Sequence, residues 1–254
     1  MTTLAIANQK GGVGKTTTVV NLAAYLGTLG EKVLVVDIDP QGNATAGLGI
    51  VDPATGLYDV LLDEVPASHA IIRTATVGVD LLPSSLELAG AEIELMDREE
   101  RSERLRAALD EVSGWYSFIL LDCPPSLGLL TLNALVAAEA VLVPVQCEYL
   151  ALEGLARLMN TLERVRTQAN PKLRVLGFLL TMYDGRTMLS HQVTAEVRRH
   201  YPRLTFDTVI PRNVRLSEAP SFGQPISRYD PTSRGAQAYR ALAQELSARV
   251  PARR

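Results

Sequence analysis

The sequence predicts an α/β domain of three layers, a mostly parallel twisted sheet flanked by helices, and three observations carry that prediction. The apolar runs Val33 to Val36, Phe118 to Leu121 and Ala140 to Val145 lack the polar alternation of a half-exposed sheet, as strands covered on both faces do. Between the runs lie segments with apolar residues at helical spacing, such as Leu155, Leu158, Met159, Leu162 and Val165. A chain of 254 residues, 47% of them apolar, has the material for one large core. Residues 1–254 are therefore expected to form a single domain.

In order along the chain, Leu4 to Ala7 reads as the first strand and Thr17 to Leu29 as the first helix, with Gly30 placed to close it. Lys32 to Asp37 follows as a buried strand. Leu57 to Leu62 and His69 to Ile72 read as short helices over a less informative surface, and Val79 to Leu82 as another strand. Glu87 to Met96 and Glu99 to Val112 read as helices, the second with Leu105, Ala108, Leu109 and Val112 on one stripe. The strand Phe118 to Leu121 runs into Asp122-Cys123-Pro124-Pro125, where the prolines stop it. Ala140 to Val145 is a strand, Tyr149 to Val165 a long helix, and Arg174 to Thr181 a further strand. The polar turn Tyr183 to Thr187 leads into a helix from Ser190 to Tyr201. Thr208 to Ile210 is a short strand into Pro211-Arg212-Asn213, and Thr232 to Arg249 is a last helix with Tyr239, Leu242, Ala243 and Leu246 facing the core. No internal repeat or low-complexity linker interrupts the series.

The most informative stretch is Lys10-Gly11-Gly12-Val13-Gly14-Lys15-Thr16, set between the first strand and the first helix. Glycines at 11, 12 and 14 remove the Cβ atoms that keep a backbone from curling around an anion, so successive N–H groups point into one concavity. The helix start adds free N–H groups and the positive end of its dipole. Lys15 supplies a mobile charge for terminal phosphates and Thr16 a hydroxyl for Mg²⁺. Strand, glycines, lysine, hydroxyl and helix in register imply nucleotide binding. The loop is a variant form, because Gln9 stands where the ordinary phosphate-loop pattern has glycine and a second lysine, Lys10, follows it.

Two other strand ends carry carboxylates where open α/β sheets hold their ligands. Asp37-Ile38-Asp39-Pro40-Gln41-Gly42-Asn43 brings two carboxylates and a flexible turn towards the loop and reads as a switch. Asp122 ends a buried strand in the manner of a Walker B carboxylate, suited to a Mg²⁺ ion that keeps several waters and few protein ligands.

Other classes are disfavoured. The net charge of −3 advertises no nucleic acid, so any DNA contact must come from a local basic patch. Cys123 and Cys147 form neither a disulfide framework nor a Cys-x-x-Cys pair, and His69, His191 and His200 share no metal spacing. No apolar run approaches about 18 residues, and the N-terminus enters the first strand at once, so a cytoplasmic location is expected.

The variant loop resembles the deviant Walker A motif of the ParA/MinD family of dimeric ATPases, which have the P-loop NTPase fold. Asn8 to Thr17, Val36 to Thr45, Leu120 to Ser126, Val143 to Glu148, Thr181 to Thr187 and Val209 to Pro220 look like ParA/Soj partition ATPases, and the resemblance covers almost the whole chain. It implies that Lys10, Gly11, Gly12, Val13, Gly14, Lys15, Thr16 and Thr17 bind ATP phosphates, that Pro211 and Asn213 lie against adenine, and that Thr16, Asp37 and Asp122 serve Mg²⁺. Lys10, Lys15 and Asp39 would be catalytic, Lys10 by reaching the partner's nucleotide and Asp39 by positioning the attacking water. Arg186, read as opening a helix, and Arg215, read as lying in a loop that follows a strand, match the family's DNA-contacting arginines.

The resemblance further implies an ATP-dependent homodimer that binds DNA without sequence preference on the nucleoid. A ParB-like centromere-binding protein would stimulate hydrolysis, so that a replicon is moved or positioned. Two other outputs of the same site remain, a MinD-like membrane-positioning ATPase and a ParA-like positioner of another cargo. The membrane output calls for a basic amphipathic C-terminal helix. Gln237, Gln244 and Glu245 dilute that face and Pro251 stops the helix, so no membrane partner is expected. An iron–sulfur carrier of this fold needs placed cysteines that Cys123 and Cys147 do not supply.

Overall fold

Apolar strands without alternation need cover on both sides, and the computed structural model, which describes residues 1–148 and 151–250, supplies it. The elements are β1 (Thr2–Ile6), α1 (Lys15–Thr28), β2 (Val33–Asp37), α2 (Asn43–Gly47), α3 (Leu57–Leu61), α4 (Ala67–Ala70), β3 (Ile72–Arg73), β4 (Val79–Leu82), α5 (Leu88–Glu94) and α6 (Arg104–Asp110). There follow β5 (Phe118–Asp122), α7 (Leu129–Ala137), β6 (Ala140–Gln146), α8 (Ala151–Gln168), β7 (Arg174–Tyr183), α9 (Met188–His200), β8 (Thr205–Pro211), α10 (Val214–Glu218), α11 (Ile226–Tyr229) and α12 (Arg234–Arg249). They build a single α/β domain around an eight-stranded sheet of order β3-β4-β2-β5-β1-β6-β7-β8. All neighbouring strands are parallel except β3, which runs antiparallel to β4 at one edge.

Alternate residues of each strand feed opposite layers. Leu4, Ile6, Val33 and Val35 pack with Leu22, Leu26, Ile226, Tyr239 and Leu242, while Ala5, Leu34, Val36 and Leu121 pack with Leu57, Leu105, Leu130 and Leu158. The strand order reverses about β1: the chain first builds outwards through β2 and β4, returns to β5, then crosses to β6 on the other flank. Helices diverge at such a reversal, and a crevice opens beyond the carboxyl end of β1. The phosphate loop lies there.

Several boundaries differ from the sequence expectation for identifiable reasons. His69 to Ile72 is not one helix: the backbone leaves α4 at Ile71, with ψ 129°, and Ile72–Arg73 pairs with the open edge of β4. Residues 99–103 are turns, with Glu100 at φ 53°, so the helix expected from Glu99 begins at Arg104. Helix α7 was not foreseen because Leu129, Leu130, Leu132, Ala134, Leu135 and Val136 leave no polar face, the pattern of a helix enclosed by its neighbours. β8 extends the expected strand on both sides because Phe206 adds a buried aromatic to the core. The expected start at Tyr149 lies outside the described residues; α8 is described from Ala151.

Close packing sets one position against its local preference. Gly27 sits inside α1, yet a Cβ there would overlap the Val77 carbonyl oxygen of the turn entering β4. Gly27→Ala, which in an open helix gains about 1 kcal/mol, is expected here to lose about 1–3 kcal/mol. A lower urea midpoint at unchanged slope is the measurement that checks it.

Candidate functional site

The loop between β1 and α1 is held at three points. The Asn8 side chain donates to the Pro144 carbonyl (2.7 Å) and accepts from the Lys10 backbone N–H (3.1 Å). The Thr181 hydroxyl, at the end of β7, donates to the Val13 carbonyl (2.9 Å). Between these anchors Gly12 and Gly14 adopt φ of 73° and 89°, a conformation that costs side-chain-bearing residues strain. A Cβ built on Gly11 or Gly12 would meet nothing within 4 Å, so the concavity above them is open.

Helix α1 begins at Lys15 with no side-chain cap and no acidic residue in its first turn. Its first N–H groups therefore face the crevice as free donors. The Lys15 ammonium is buried and donates to the Lys10 carbonyl (3.3 Å). Burial lowers its pKa, and the carboxylates of Asp122 and Asp39 oppose that shift. Behind it, the buried Thr18 hydroxyl donates to the Gly14 carbonyl (2.7 Å) and meets the Tyr239 hydroxyl of α12 at 3.2 Å, which fixes the start of α1 against the last helix.

The two strand-end carboxylates lie side by side, because parallel pairing of β2 with β5 puts Asp37 opposite Asp122. Both are fully buried, but their environments differ. Asp37 takes the Thr45 backbone N–H (2.8 Å), the Thr45 hydroxyl (2.7 Å) and the Asp39 backbone N–H (3.3 Å). Burial still pushes its pKa up to about 6. Neither oxygen of Asp122 has a hydrogen-bond partner. Burial and then the Asp37 charge push its pKa well up, while the Thr16 hydroxyl beside it favours the ionised form. A buried carboxylate without donors is costly unless a cation meets it. Hard oxygen donors from Thr16 and Asp122 fit Mg²⁺, which takes few protein ligands and completes its shell with phosphate oxygens and water. Among the described residues no group of three or more His, Cys, Asp or Glu side chains offers a metal cage by itself.

Above these groups lies a cavity of about 1020 Å³, lined among others by Gly11, Gly12, Gly14, Lys15, Thr16, Thr17, Asp39, Pro211 and Asn213. Asp39 faces it half-exposed, its carboxylate accepting the Gln41 N–H (3.0 Å). Asn213 spends its side-chain oxygen on the Arg215 N–H (2.9 Å) as the cap of α10 and keeps its amide donors. A smaller cavity of about 460 Å³ lies between residues 60–67 and 99–111.

Other sequence-selected residues stand outside the cavity. Lys10 turns its ammonium onto Glu148 of its own chain. Arg186 does not open a helix: it precedes the cap of α9, Thr187, and its Nε and Nη2 hold Asp184 (2.9 and 2.7 Å). Arg215 is not in a loop but in α10, paired with Glu218 (2.8 Å) and facing Asp230 at 3.6 Å. Because Tyr183 pairs with Pro211, the segments carrying the two arginines leave the same edge of the sheet. Sequence reasoning missed Asn8, Thr45, Thr181 and Glu148, whose roles arise from partners 136 to 168 residues away or, for Thr45 and its partner Asp37, across a turn of eight positions. Only their place inside the motif-bearing stretches marked them.

Strand, glycine cradle, uncapped helix and orphaned carboxylate define a nucleotide-binding P-loop protein. A family profile described as an AAA domain matches residues 1–175. The chain is 56% identical over 247 residues to the chromosome-partitioning ATPase Soj of Thermus thermophilus, covering 97% of this chain and 96% of that one. It is 54% identical over 250 residues to the chromosome partitioning protein ParA of Caulobacter vibrioides, covering 97% and 94%. Among solved structures it resembles cobyrinic acid a,c-diamide synthase from Mycobacterium smegmatis with bound ATP analog and magnesium, at TM-score 0.85 and 41% identity over 100% of this chain and 97% of that one. The chain belongs to the ParA/Soj family within the ParA/MinD ATPases.

Lys15→Ala removes the buried ammonium at the cradle. ATP affinity measured by nucleotide titration with Mg²⁺ is expected to fall about 10- to 100-fold, the worth of one or two charge-assisted hydrogen bonds. Unchanged affinity would contradict the phosphate-loop assignment.

Proposed function

We propose that this protein hydrolyses ATP with Mg²⁺ and uses the ATP-bound state as a timed, DNA-bound dimer in replicon partition. The observation that carries the reading is the orphaned Asp122 carboxylate beside Thr16 and below an open glycine cradle. ATP would supply the transferable phosphoryl group and Mg²⁺ would offset its charge; a solved relative carries an ATP analog together with magnesium. Gly11, Gly12 and Gly14 let the backbone close on the phosphates, Val13 is held in place by Thr181, and Thr16 and Thr17 add the first turn of α1. Pro211 and Asn213 form the wall for the base.

Phosphoryl transfer to water needs positioning and charge neutralisation more than covalent help. Asp39 is the carboxylate that faces the cavity and it orients the water; Asp37, with both oxygens engaged by Asp39 and Thr45, holds the switch segment and, beside Asp122, would serve the water shell of a bound Mg²⁺. Lys10 leaves Glu148 and reaches the partner's nucleotide, which couples hydrolysis to dimerisation. A ParB-like centromere-binding protein accelerates the step, and dissociation of the dimer ends the DNA-bound state.

The membrane output is less well supported, because Tyr239, Leu242, Ala243 and Leu246 of α12 are buried against α1 and β8 and leave no apolar face for a bilayer. Pro251, expected to stop that helix, lies outside the described residues. The partition names of relatives at 54–56% identity favour replicon cargo over an amidation reaction.

Asp39→Ala is expected to bind ATP and to accumulate dimers with slow turnover, whereas Lys10→Ala binds ATP as a monomer. Sedimentation and phosphate release separate the two. Wild-type turnover in Asp39→Ala would move the water-positioning role to another carboxylate.

For DNA, each arginine must exchange a carboxylate for a phosphate, and exposed pairs exchange readily. Two arginines from each of two protomers reach about four phosphates, so log K against log salt for the ATP dimer is expected to fall with a slope no steeper than about −3.6. Binding of Asp39→Ala to unrelated duplexes across a salt series, with ATP and with ADP, measures it. Arg186→Glu or Arg215→Glu should abolish binding while dimers persist; equal affinity in both nucleotides would defeat the DNA reading.

A further inference from the structure

A phosphate cradle works only while its amides turn inward. A peptide group is planar and trans, so its N–H points away from its own carbonyl. Beside a glycine such a group turns over easily, because glycine accepts φ of either sign. The turned state would set a carbonyl oxygen against a phosphate. Whatever holds the loop's carbonyls outward therefore decides how ready the cradle is for an anion.

Three loop carbonyls are taken by side-chain donors: that of Lys10 by the Lys15 ammonium (3.3 Å), that of Val13 by the Thr181 hydroxyl (2.9 Å) and that of Gly14 by the Thr18 hydroxyl (2.7 Å). Among the described residues the backbone N–H groups of residues 11–17 have no acceptor in the chain. Lys15 is itself a phosphate ligand in the reading above, which leaves the two hydroxyls as the lasting holds.

Thr181 is brought to Val13 by an irregular strand end. Its carbonyl accepts the Cys147 N–H (3.1 Å), and the Tyr183 carbonyl accepts the Arg212 N–H (2.9 Å). Between these two bonds Met182 takes φ of 51°, and the register of β7 against β8 shifts there. That conformation is unfavourable for a residue with a Cβ. It is kept beside the nucleotide cavity, which Thr181 and Met182 both line.

The second hold reaches further. Thr18 has one hydroxyl proton and places it on the Gly14 carbonyl, so the Tyr239 hydroxyl at 3.2 Å is the donor of that pair. Burial pushes the Tyr239 phenol up, which keeps its proton in place. Donation into Thr18 strengthens the bond to Gly14, because hydrogen bonds in series polarise one another. The last helix thus bears on the start of the first across 221 positions of chain.

We infer that Thr181, and Tyr239 acting through Thr18, are positioning residues for the phosphates: they hold the Val13–Gly14 and Gly14–Lys15 peptide groups with N–H inward and so set the affinity for the polyphosphate part of the nucleotide. The inference rests on the phosphate-loop reading of the site.

Titration of the full chain with ATP and Mg²⁺, and competition of inorganic tripolyphosphate against labelled ADP, test it. Thr181→Val keeps the shape and removes the hydroxyl; it is expected to weaken ATP and tripolyphosphate by the same factor, about three- to tenfold, the worth of one hydrogen bond. Thr181→Ser keeps the donor and should stay within about twofold of the wild type. Tyr239→Phe should weaken both ligands about two- to fivefold. In a Thr18→Val background it should add nothing, because the two hydroxyls act through one bond. If Thr181→Val does not fold, Thr181→Ala read against Thr181→Ser makes the same comparison. Wild-type affinity in Thr181→Val, Thr181→Ser as weak as Thr181→Val, or a loss for ATP that tripolyphosphate does not share overturns the assignment of Thr181. Additive losses from Tyr239→Phe and Thr18→Val overturn the relay through Thr18. A wild type that binds neither ligand defeats the phosphate-loop reading itself, whereas one that binds both while every variant matches it defeats this inference alone.

Discussion

Burial of the Asp122 carboxylate, with the Thr16 hydroxyl beside it but no hydrogen bond made to either oxygen, is the constraint on which the rest of the site depends. A charge in that position is tolerated only as a protonated group or beside a cation. The fold keeps Lys15 near it and leaves the space above the loop open, so the missing positive charge has a place to come from. Asp37, one strand away, solves the same problem internally through Thr45 and the Asp39 N–H. Two carboxylates in register therefore divide the work: one closes the switch segment onto the sheet, the other waits for a ligand.

A second regularity links the cations that the sequence singled out. Lys10 rests on Glu148, Arg186 on Asp184, and Arg215 on Glu218. Each is held by a carboxylate of its own chain in a solvent-exposed pair. Such pairs add little to stability and yield to a better-placed anion. In the function proposed above, an incoming phosphate would have to compete with a carboxylate already in position at each of these cations. Geometry and valency would then count for more than bare charge in a chain whose net charge is negative.

The carboxylate-rich segment around α5 is the counterpart of that arrangement: among the described residues Glu87, Glu94, Asp97, Glu99 and Glu100 make no ion pair, and Arg98 is turned to the Leu62 carbonyl. Ser84 connects it to the segment that carries Asp39. One sheet edge accordingly presents positive groups and another surface negative ones, both tied to the strand ends around the crevice. A single hydrogen bond, from the Leu130 N–H to Glu92, ties α5 to the start of α7.

By itself the sequence determined the sheet class, the phosphate loop, the order along the chain of every strand but β3 and the identity of the charged groups. These follow from local rules: apolar runs without alternation, glycines that permit positive φ, and a helix start that leaves donors free. Gly12, Gly14, Lys15 and Thr16 were legible because their chemistry is contained within one turn of chain. The partners were not. That Asp37 is satisfied while Asp122 is orphaned depends on Thr45 folding back over β2. Thr181 supports Val13 because β7 ends beside the loop. Lys10 lies on Glu148, and α7 exists as an enclosed helix, through the same long-range packing. Only the tertiary structure decides such matters, because hydrogen bonding and burial depend on which residues the sheet order brings together, and local sequence carries no record of partners more than a hundred positions away.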